Sequence, residues 1–191
     1  SHTIFAMPFA MIGFTLAYKT IQNNHSNNPI WMILLLVILS MIFARSAAMA
    51  FNRYIDQQYD KLNVRTSVRE IPAGIISSKN ALLFVIINSV LFIATTYFIN
   101  TICFLLSPVA LFIILFYSYT KRFTPLCHLV LGLGLSLAPI GAYLALLGHF
   151  ALLPILFSCI VFTWVSAFDI LYALGDEAFA REHQLKSIQV L

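Results

Sequence analysis

The sequence contains few charged residues. Asp, Glu, Lys and Arg make up 9% of its 191 residues, and only seven residues are acidic, whereas a soluble domain carries about 25% charged residues. Hydrophobic residues make up 61%, and the mean hydropathy is +0.91. This balance indicates a membrane protein rather than a soluble one. The net charge of +4 is interpreted as a sign of membrane topology, and no nucleic-acid partner is expected.

Cysteine is also scarce. Cys103, Cys127 and Cys159 lie in apolar stretches without the spacing of metal ligands, so they are interpreted as small apolar residues. The chain begins at Ser1 next to an apolar stretch and stops at Leu191 after a polar one. We therefore expect one transmembrane domain over residues 1–191, incomplete at both ends.

Charge is absent from two long stretches, residues 80–120 and 123–168. A membrane-spanning helix needs about 20 mostly apolar residues, so each stretch is long enough for two spans, with breaks near Asn100 and near Gly148–His149. An all-α polytopic bundle in membrane lipid follows, because helices satisfy their own backbone groups there. The six predicted helices span residues 3–22, 30–59, 79–99, 101–120, 124–147 and 151–175.

The basic residues orient this bundle. Lysine and arginine follow the second, fourth and sixth helices, whereas only Lys19 lies at the opposite ends. By the positive-inside rule, the even-numbered helices end on the cytoplasmic face. The second and sixth helices therefore bring their ends to the same side of the membrane.

Those two helix ends hold four of the seven acidic residues. The first motif is NRYIDQQYD, residues 52–60, in which a polar residue recurs every four positions: Asn52, Asp56 and Asp60. The second motif is DILYALGD, residues 169–176, in which the spacings are three and then four: Asp169, Tyr172 and Asp176. Each set shares one helix face. A helix C-terminus disfavours negative charge and carboxylates are costly in membranes, so these faces predict a shared function, and oxygen ligands of this kind suit Mg²⁺.

Basic residues accompany the acidic faces. Arg65 and Arg69 follow the first acidic motif one helical turn apart, and Lys121 and Arg122 lie on the same side of the membrane. The guanidinium group of arginine can donate two parallel hydrogen bonds to phosphate oxygens. Acids suited to a metal together with bases suited to phosphate therefore predict a metal–phosphate site.

The motifs identify a family. NRYIDQQYD resembles the NxxxDxxxD motif of the UbiA superfamily of intramembrane prenyltransferases, and DILYALGD resembles its second motif, DxxYxxxD. RTSVREIPAG is similar to the arginine-rich segment after the first motif, and SHTIFAMPFA, ARSAAMAFNR and YTKRFTPLCH resemble the bacterial branch related to 4-hydroxybenzoate polyprenyltransferase. The resemblance extends from residue 1 to about residue 190.

This resemblance implies a bundle of nine helices, of which the chain supplies six, with a central cavity near the cytoplasmic face of the bacterial inner membrane. It implies Mg²⁺-dependent transfer of a polyprenyl chain from a polyprenyl diphosphate to an aromatic acid in respiratory quinone synthesis. The acceptor would be 4-hydroxybenzoate or, for menaquinone, a dihydroxynaphthoate. The acidic residues expected to bind Mg²⁺, directly or through water, are Asp56, Asp60, Asp169 and Asp176. The residues expected to bind the diphosphate oxygens are Arg65, Arg69 and Lys121.

Three further residues have expected roles. Asn52 would contact the diphosphate or a metal-bound water. Tyr172 would support the allylic cation, since aromatic faces attract cations, or hold a ligand. Arg45, seven residues before Asn52 on the same face, would bind the carboxylate of the acceptor or pair with Asp56.

Other polar and small residues are expected to serve packing. The glycines of the fifth predicted helix do not follow a strand, as a nucleotide-binding loop would require. They are therefore interpreted as small residues for close helix contact: Gly132, Gly134 and Gly141. His128 has no partner at metal-ligand spacing and is interpreted as structural.

Two other functions remain open from the sequence. Intramembrane carboxylates also couple ions in transporters, which often contain repeated halves, although an arginine-rich phosphate loop fits a transporter less well. A non-catalytic subunit with the same fold is the other alternative. The length of the prenyl chain and the oligomeric state do not follow from the residues.

Overall fold

The structure is a computed structural model that describes residues 2–21, 29–62, 66–120, 122–124 and 126–173. Within these residues the chain is all α, with no β-strand, as predicted. The helices are α1 (His2–Ile21), α2 (Ile30–Leu62), α3 (Ser78–Ile99), α4 (Thr101–Thr120), α5 (Cys127–Leu147) and α6 (Leu152–Ala173). All six predicted helices are confirmed, and α2 extends past its predicted end so that Asp60 lies inside it.

Five of the helices, α2 to α6, are long and apolar enough to cross a membrane. α1, which was also predicted to span, is not among the five. Large apolar side chains cover the outside of the bundle: Trp31, Phe98 and Phe112 are each more than three-fifths exposed. Exposed apolar surface of this extent is unusual for a soluble monomer, and it makes the chain a multi-pass membrane protein.

The two predicted helix breaks have clear local causes. Asn100 is extended between α3 and α4; its Oδ1 accepts from the Cys103 amide at 2.8 Å, and its Nδ2 donates to the Leu144 carbonyl at 2.8 Å. Gly148 ends α5 in the left-handed region at φ 67°, which glycine adopts without steric cost. Asn100 therefore joins the α3–α4 corner to the end of α5.

The helices form two groups of three. α2, α3 and α4 contact one another, with Ala44, Phe92 and Leu111 in a shared buried cluster. α5 lies between α1 and α6, and Leu135 of α5 packs with Val161 and Val165 of α6. An elongated cavity lies between the two groups, lined by residues of every helix.

Glycine allows close contact between helices at two positions. A Cβ at Gly13 would lie 1.9 Å from the Pro139 carbonyl oxygen, and one at Gly132 would lie 2.8 Å from the Phe162 carbonyl oxygen. The packing interpretation is thus confirmed for Gly132. It is wrong for Gly141, where a Cβ would meet nothing within 4 Å because this residue faces the cavity.

Gly13→Ala and Gly141→Ala are expected to change stability in opposite directions. The Gly13 variant must push α1 away from the α5 backbone, which costs about 1–3 kcal/mol. The Gly141 variant meets no atom and removes a helical glycine, which gains about 0.5–1 kcal/mol. Thermal unfolding in one detergent measures both, and an unchanged melting temperature for Gly13→Ala would contradict the close approach.

Candidate functional site

The cavity between the two helix groups has a volume of about 880 Å³ and is mostly apolar. Its charged, amide and phenol side chains lie between the middle of α2 and the end at which α2 and α6 finish. These residues are Arg45, Asn52, Arg53, Arg69, Tyr117, Asp169 and Tyr172. The opposite end is mainly apolar and is lined by Ile99, Cys103, Leu144, Ala145 and Phe150. The cavity therefore has a charged mouth and a hydrophobic depth.

The two carboxylates of α2 lie one turn apart beside this mouth. Asp56 and Asp60 are buried, with 4% and 6% of their surfaces exposed. Arg69 Nη1 donates to both oxygens of Asp60 at 3.0 Å, and Thr66 Oγ1 donates to the Asp60 carbonyl at 3.2 Å. The segment after α2 thus neutralises a buried acid at the helix C-terminus and satisfies one of its terminal carbonyls.

A second ion pair joins the same segment to α2 near the surface. Arg53 pairs with Glu70, and the two side chains are 36% and 45% exposed. The pKa of the Glu70 carboxyl is lowered, first by a hydrogen bond from its own backbone and then by the hydrogen bond from Arg53. Because water screens both partners of this pair, it contributes less to stability than the pair of Arg69 with the buried Asp60.

Arg122, which follows Lys121 on the basic side of the bundle, has protein partners in the structure. Its Nη2 donates to the Ile55 carbonyl at 2.6 Å, and its guanidinium lies 5.5 Å from the ring centroid of Tyr59 and 5.8 Å from that of Tyr119. This arginine therefore joins the α4–α5 connection to α2 through a carbonyl and two aromatic faces.

The acid of α6 is held by a residue that the sequence analysis assigned to packing. His128, in the first turn of α5, places Nδ1 2.7 Å from Oδ2 of Asp169, which lines the cavity. The assignment of His128 as merely structural is therefore incomplete. One signal was available: a polar ring inside a charge-free span of this length is costly unless it has a partner.

Arg45 projects into the cavity from the middle of α2. Its Nε is buried and has no hydrogen-bond partner among the described residues. Pairing with Asp56, one of the two roles considered for Arg45, stays a prediction. A buried guanidinium of this kind matches a carboxylate or phosphate ligand entering the cavity.

The predicted site residues thus fall into three groups. The cavity is lined by Arg45, Asn52, Arg69, Asp169 and Tyr172. Asp56 and Asp60 lie on the same helix as Asn52, next to the mouth, with Asp60 bound to the cavity residue Arg69. The residues Arg65, Lys121 and Asp176 lie outside the described residues.

The donor chemistry at the mouth fits Mg²⁺ bound together with a ligand. Over the described residues, no three His, Cys, Asp or Glu side chains form a metal cluster, so Asp56, Asp60 and Asp169 do not make a closed metal site by themselves. Mg²⁺ commonly takes one or two carboxylates and completes its shell with water and substrate phosphate. Asp56 and Asp60 on α2 and Asp169 on α6 would therefore hold it from separate walls.

Several apolar helices around a cavity with an apolar depth and a charged mouth define a multi-pass membrane protein with an internal site. The comparison with family models makes this specific: the UbiA prenyltransferase family model matches residues 6–191. The chain belongs to the UbiA prenyltransferase family.

Individual relatives agree with this assignment. A 4-hydroxybenzoate octaprenyltransferase of Aliivibrio fischeri (strain MJ11) is 33% identical over 166 residues, covering 85% of this chain and 57% of that protein. The apo structure of a UbiA homolog from Aeropyrum pernix K1 matches with a TM-score of 0.85 at 33% identity, covering 98% of this chain and 68% of that one. The chain therefore spans little more than half the length of the curated relatives.

A further solved structure contains ligands. The UbiA homolog from Archaeoglobus fulgidus bound to DMAPP and Mg²⁺ matches with a TM-score of 0.71 at 25% identity, covering 100% of this chain and 69% of that one. That protein thus combines an allylic diphosphate and Mg²⁺ in the same fold.

Arg69→Met is expected to destabilise the protein more than Arg53→Met. The first change leaves Asp60 buried without its cation, at a cost on the order of 1–3 kcal/mol. The second removes only an exposed pair, worth about 0–1 kcal/mol. Both variants lose one positive charge. A difference between their melting temperatures in the same lipid therefore reports the burial of the carboxylate that each arginine holds. Equal losses would show that the Asp60–Arg69 pair is not buried in the membrane-embedded protein.

Proposed function

We propose that the chain is the prenyl-transferring part of an aromatic prenyltransferase of quinone synthesis in a bacterial inner membrane. The observation that carries the proposal is one cavity with an apolar depth, Arg45 on its wall, and a mouth bearing Asn52, Arg69 and Asp169. A polyprenyl diphosphate has the same division, since its tail is apolar and its head is anionic. Family membership and the relative that binds DMAPP and Mg²⁺ support the same conclusion.

The proposed reaction begins at the mouth of the cavity, near the cytoplasmic face. The C–O bond of the allylic diphosphate breaks and its electron pair leaves with the diphosphate. Arg69 and Asn52 bind the leaving oxygens, and Arg65 and Lys121 are assigned the same role from the sequence. Mg²⁺ supplies charge neutralisation of the leaving group when bound, and its proposed ligands are Asp56, Asp60, Asp169 and Asp176.

The carbon chain left behind is cationic and must meet the acceptor before water. The apolar walls exclude water, and the face of Tyr172, at the mouth, stabilises positive charge. A ring carbon of the aromatic acid then forms the new C–C bond, and the ring loses a proton. Arg45 is assigned to the acceptor carboxylate, and its buried Nε, which has no partner among the described residues, supports this role.

Product formation tests this function directly. The purified protein in lipid nanodiscs is supplied with geranylgeranyl diphosphate, Mg²⁺ and either 4-hydroxybenzoate or 1,4-dihydroxy-2-naphthoate. We expect prenylated product with one of these acids, abolished by EDTA and lowered at least about 100-fold in Asp56→Asn, in line with the effect of losing one electrostatic group at a reacting centre. Lys79→Gln, an exposed change of equal charge magnitude, is the control that retains activity.

The assay also separates the alternatives. Preference for the bicyclic acid would assign the protein to menaquinone rather than ubiquinone synthesis. Ion flux into liposomes without any prenylated product would instead support a transporter, and neither activity would support a non-catalytic subunit. Full turnover in Asp56→Asn would contradict the metal assignment.

Arg45→Gln is expected to raise the KM for 4-hydroxybenzoate by about 10–100-fold, the range for a lost charged hydrogen bond. The KM for the diphosphate should change little, because Arg45 lies deeper in the cavity than the phosphate-binding residues. Methyl 4-hydroxybenzoate, which lacks the negative charge, provides the internal control: wild type and variant should use it equally. A parallel loss with the ester would show that Arg45 serves the fold or the donor instead.

A further inference from the structure

Asp169 is held by a residue from a different helix. The Oδ2 atom of Asp169, near the end of α6, lies 2.7 Å from Nδ1 of His128, in the first turn of α5. The His128 side chain is 6% exposed and that of Asp169 is 24% exposed. The imidazole is therefore buried behind the carboxylate, while the carboxylate lines the cavity.

The direction of this hydrogen bond follows from its chemistry. An ionised carboxylate only accepts, so Nδ1 carries the hydrogen and donates it. The other ring nitrogen, Nε2, is buried without a hydrogen-bond partner in the described part of the chain. The Nδ1 hydrogen of His128 is therefore donated to Asp169.

A close contact one helical turn away from the His128–Asp169 pair sets the distance between α5 and α6. A Cβ at Gly132 would lie 2.1 Å from Ser166 Oγ and 2.8 Å from the Phe162 carbonyl oxygen. Gly132 is four residues after His128, and Ser166 is three residues before Asp169. Absence of a side chain at Gly132 therefore lets α6 approach α5 closely enough for a direct hydrogen bond.

The His128–Asp169 pair differs from the Arg69–Asp60 pair of α2 in its position relative to the cavity. Asp60 is neutralised by Arg69, which itself lines the cavity and is assigned to the diphosphate. His128 does not line the cavity, so no ligand in it can compete directly for the imidazole. The hydrogen bond to Asp169 therefore persists when a ligand is bound and fixes the orientation of the carboxylate, as outer partners of metal ligands generally do.

We propose that His128 is a positioning residue, which holds Oδ2 of Asp169 so that the carboxylate presents Oδ1 to a magnesium–diphosphate group in the cavity. This inference rests on the proposed function, since it takes the metal role of Asp169 from it. His128 touches neither substrate nor metal and acts through Asp169.

Metal binding without turnover tests the role. Mn²⁺ is titrated into the full chain in nanodiscs with the unreactive S-thiolodiphosphate of geranylgeraniol, and free Mn²⁺ is followed by electron paramagnetic resonance. His128→Leu removes the donor and is expected to weaken Mn²⁺ binding by about 10–100-fold, the usual effect of losing an outer partner. His128→Asn places an amide donor near the position of Nδ1 and should recover most of the affinity.

Two further variants keep the result interpretable. Gly132→Ala retains both polar residues but separates α5 from α6, so it should also weaken Mn²⁺ binding even if His128→Leu does not fold. His149→Leu, at an exposed histidine whose Nδ1 lies 3.0 Å from the Leu147 carbonyl and whose ring packs edge-on against Tyr143, is the matched control and should bind as wild type does.

The outcomes separate this inference from the proposed function. Wild-type affinity in His128→Leu, or an Asn variant that folds yet binds no better than the Leu variant, would overturn the positioning role and leave the proposed function intact. Failure of the wild type itself to bind Mn²⁺ with the thiolodiphosphate, or unchanged binding in Asp169→Asn, would instead overturn the metal assignment on which both depend.

Discussion

A carboxylate inside an apolar helix bundle must be held by a donor or a cation, and the mouth of the cavity is built around two such attachments. Burial of an isolated charge costs several kcal/mol or more. Asp60 on α2 is held by Arg69 from the following segment, and Asp169 on α6 is held by His128 from α5. Each attachment joins two parts of the chain, so the charges shape the bundle as well as the site.

The two attachments differ in what a ligand can do to them. Arg69 lines the cavity and is partly exposed, so in the proposed function an incoming diphosphate competes with Asp60 for its guanidinium. His128 is buried behind Asp169 and is shielded from that competition. In the proposed function, one wall of the mouth exchanges partners on binding while the other wall stays in place.

The apolar part of the cavity depends on backbone spacing more than on chemistry. Close contact at Gly13 and at Gly132 draws α1 and α6 onto α5, and the absence of a side chain at Gly141 leaves open space on the cavity face of the same helix. Glycine in α5 therefore serves two opposite purposes, contact on one side and volume on the other. In the proposed function a prenyl tail occupies this space, since its recognition needs shape and the exclusion of water rather than specific hydrogen bonds.

The sequence by itself determined the six helices, their breaks at Asn100 and Gly148, and the acidic faces of α2 and α6, because hydropathy and a period of 3.6 residues are local properties. Tertiary structure decided which polar groups meet. The His128–Asp169 pair joins residues 41 positions apart, and the pairing of Arg69 with Asp60 and the opposite roles of Gly132 and Gly141 also required coordinates. Such contacts depend on the rotation and separation of packed helices, and a difference of one or two ångströms between axes decides whether a hydrogen bond forms.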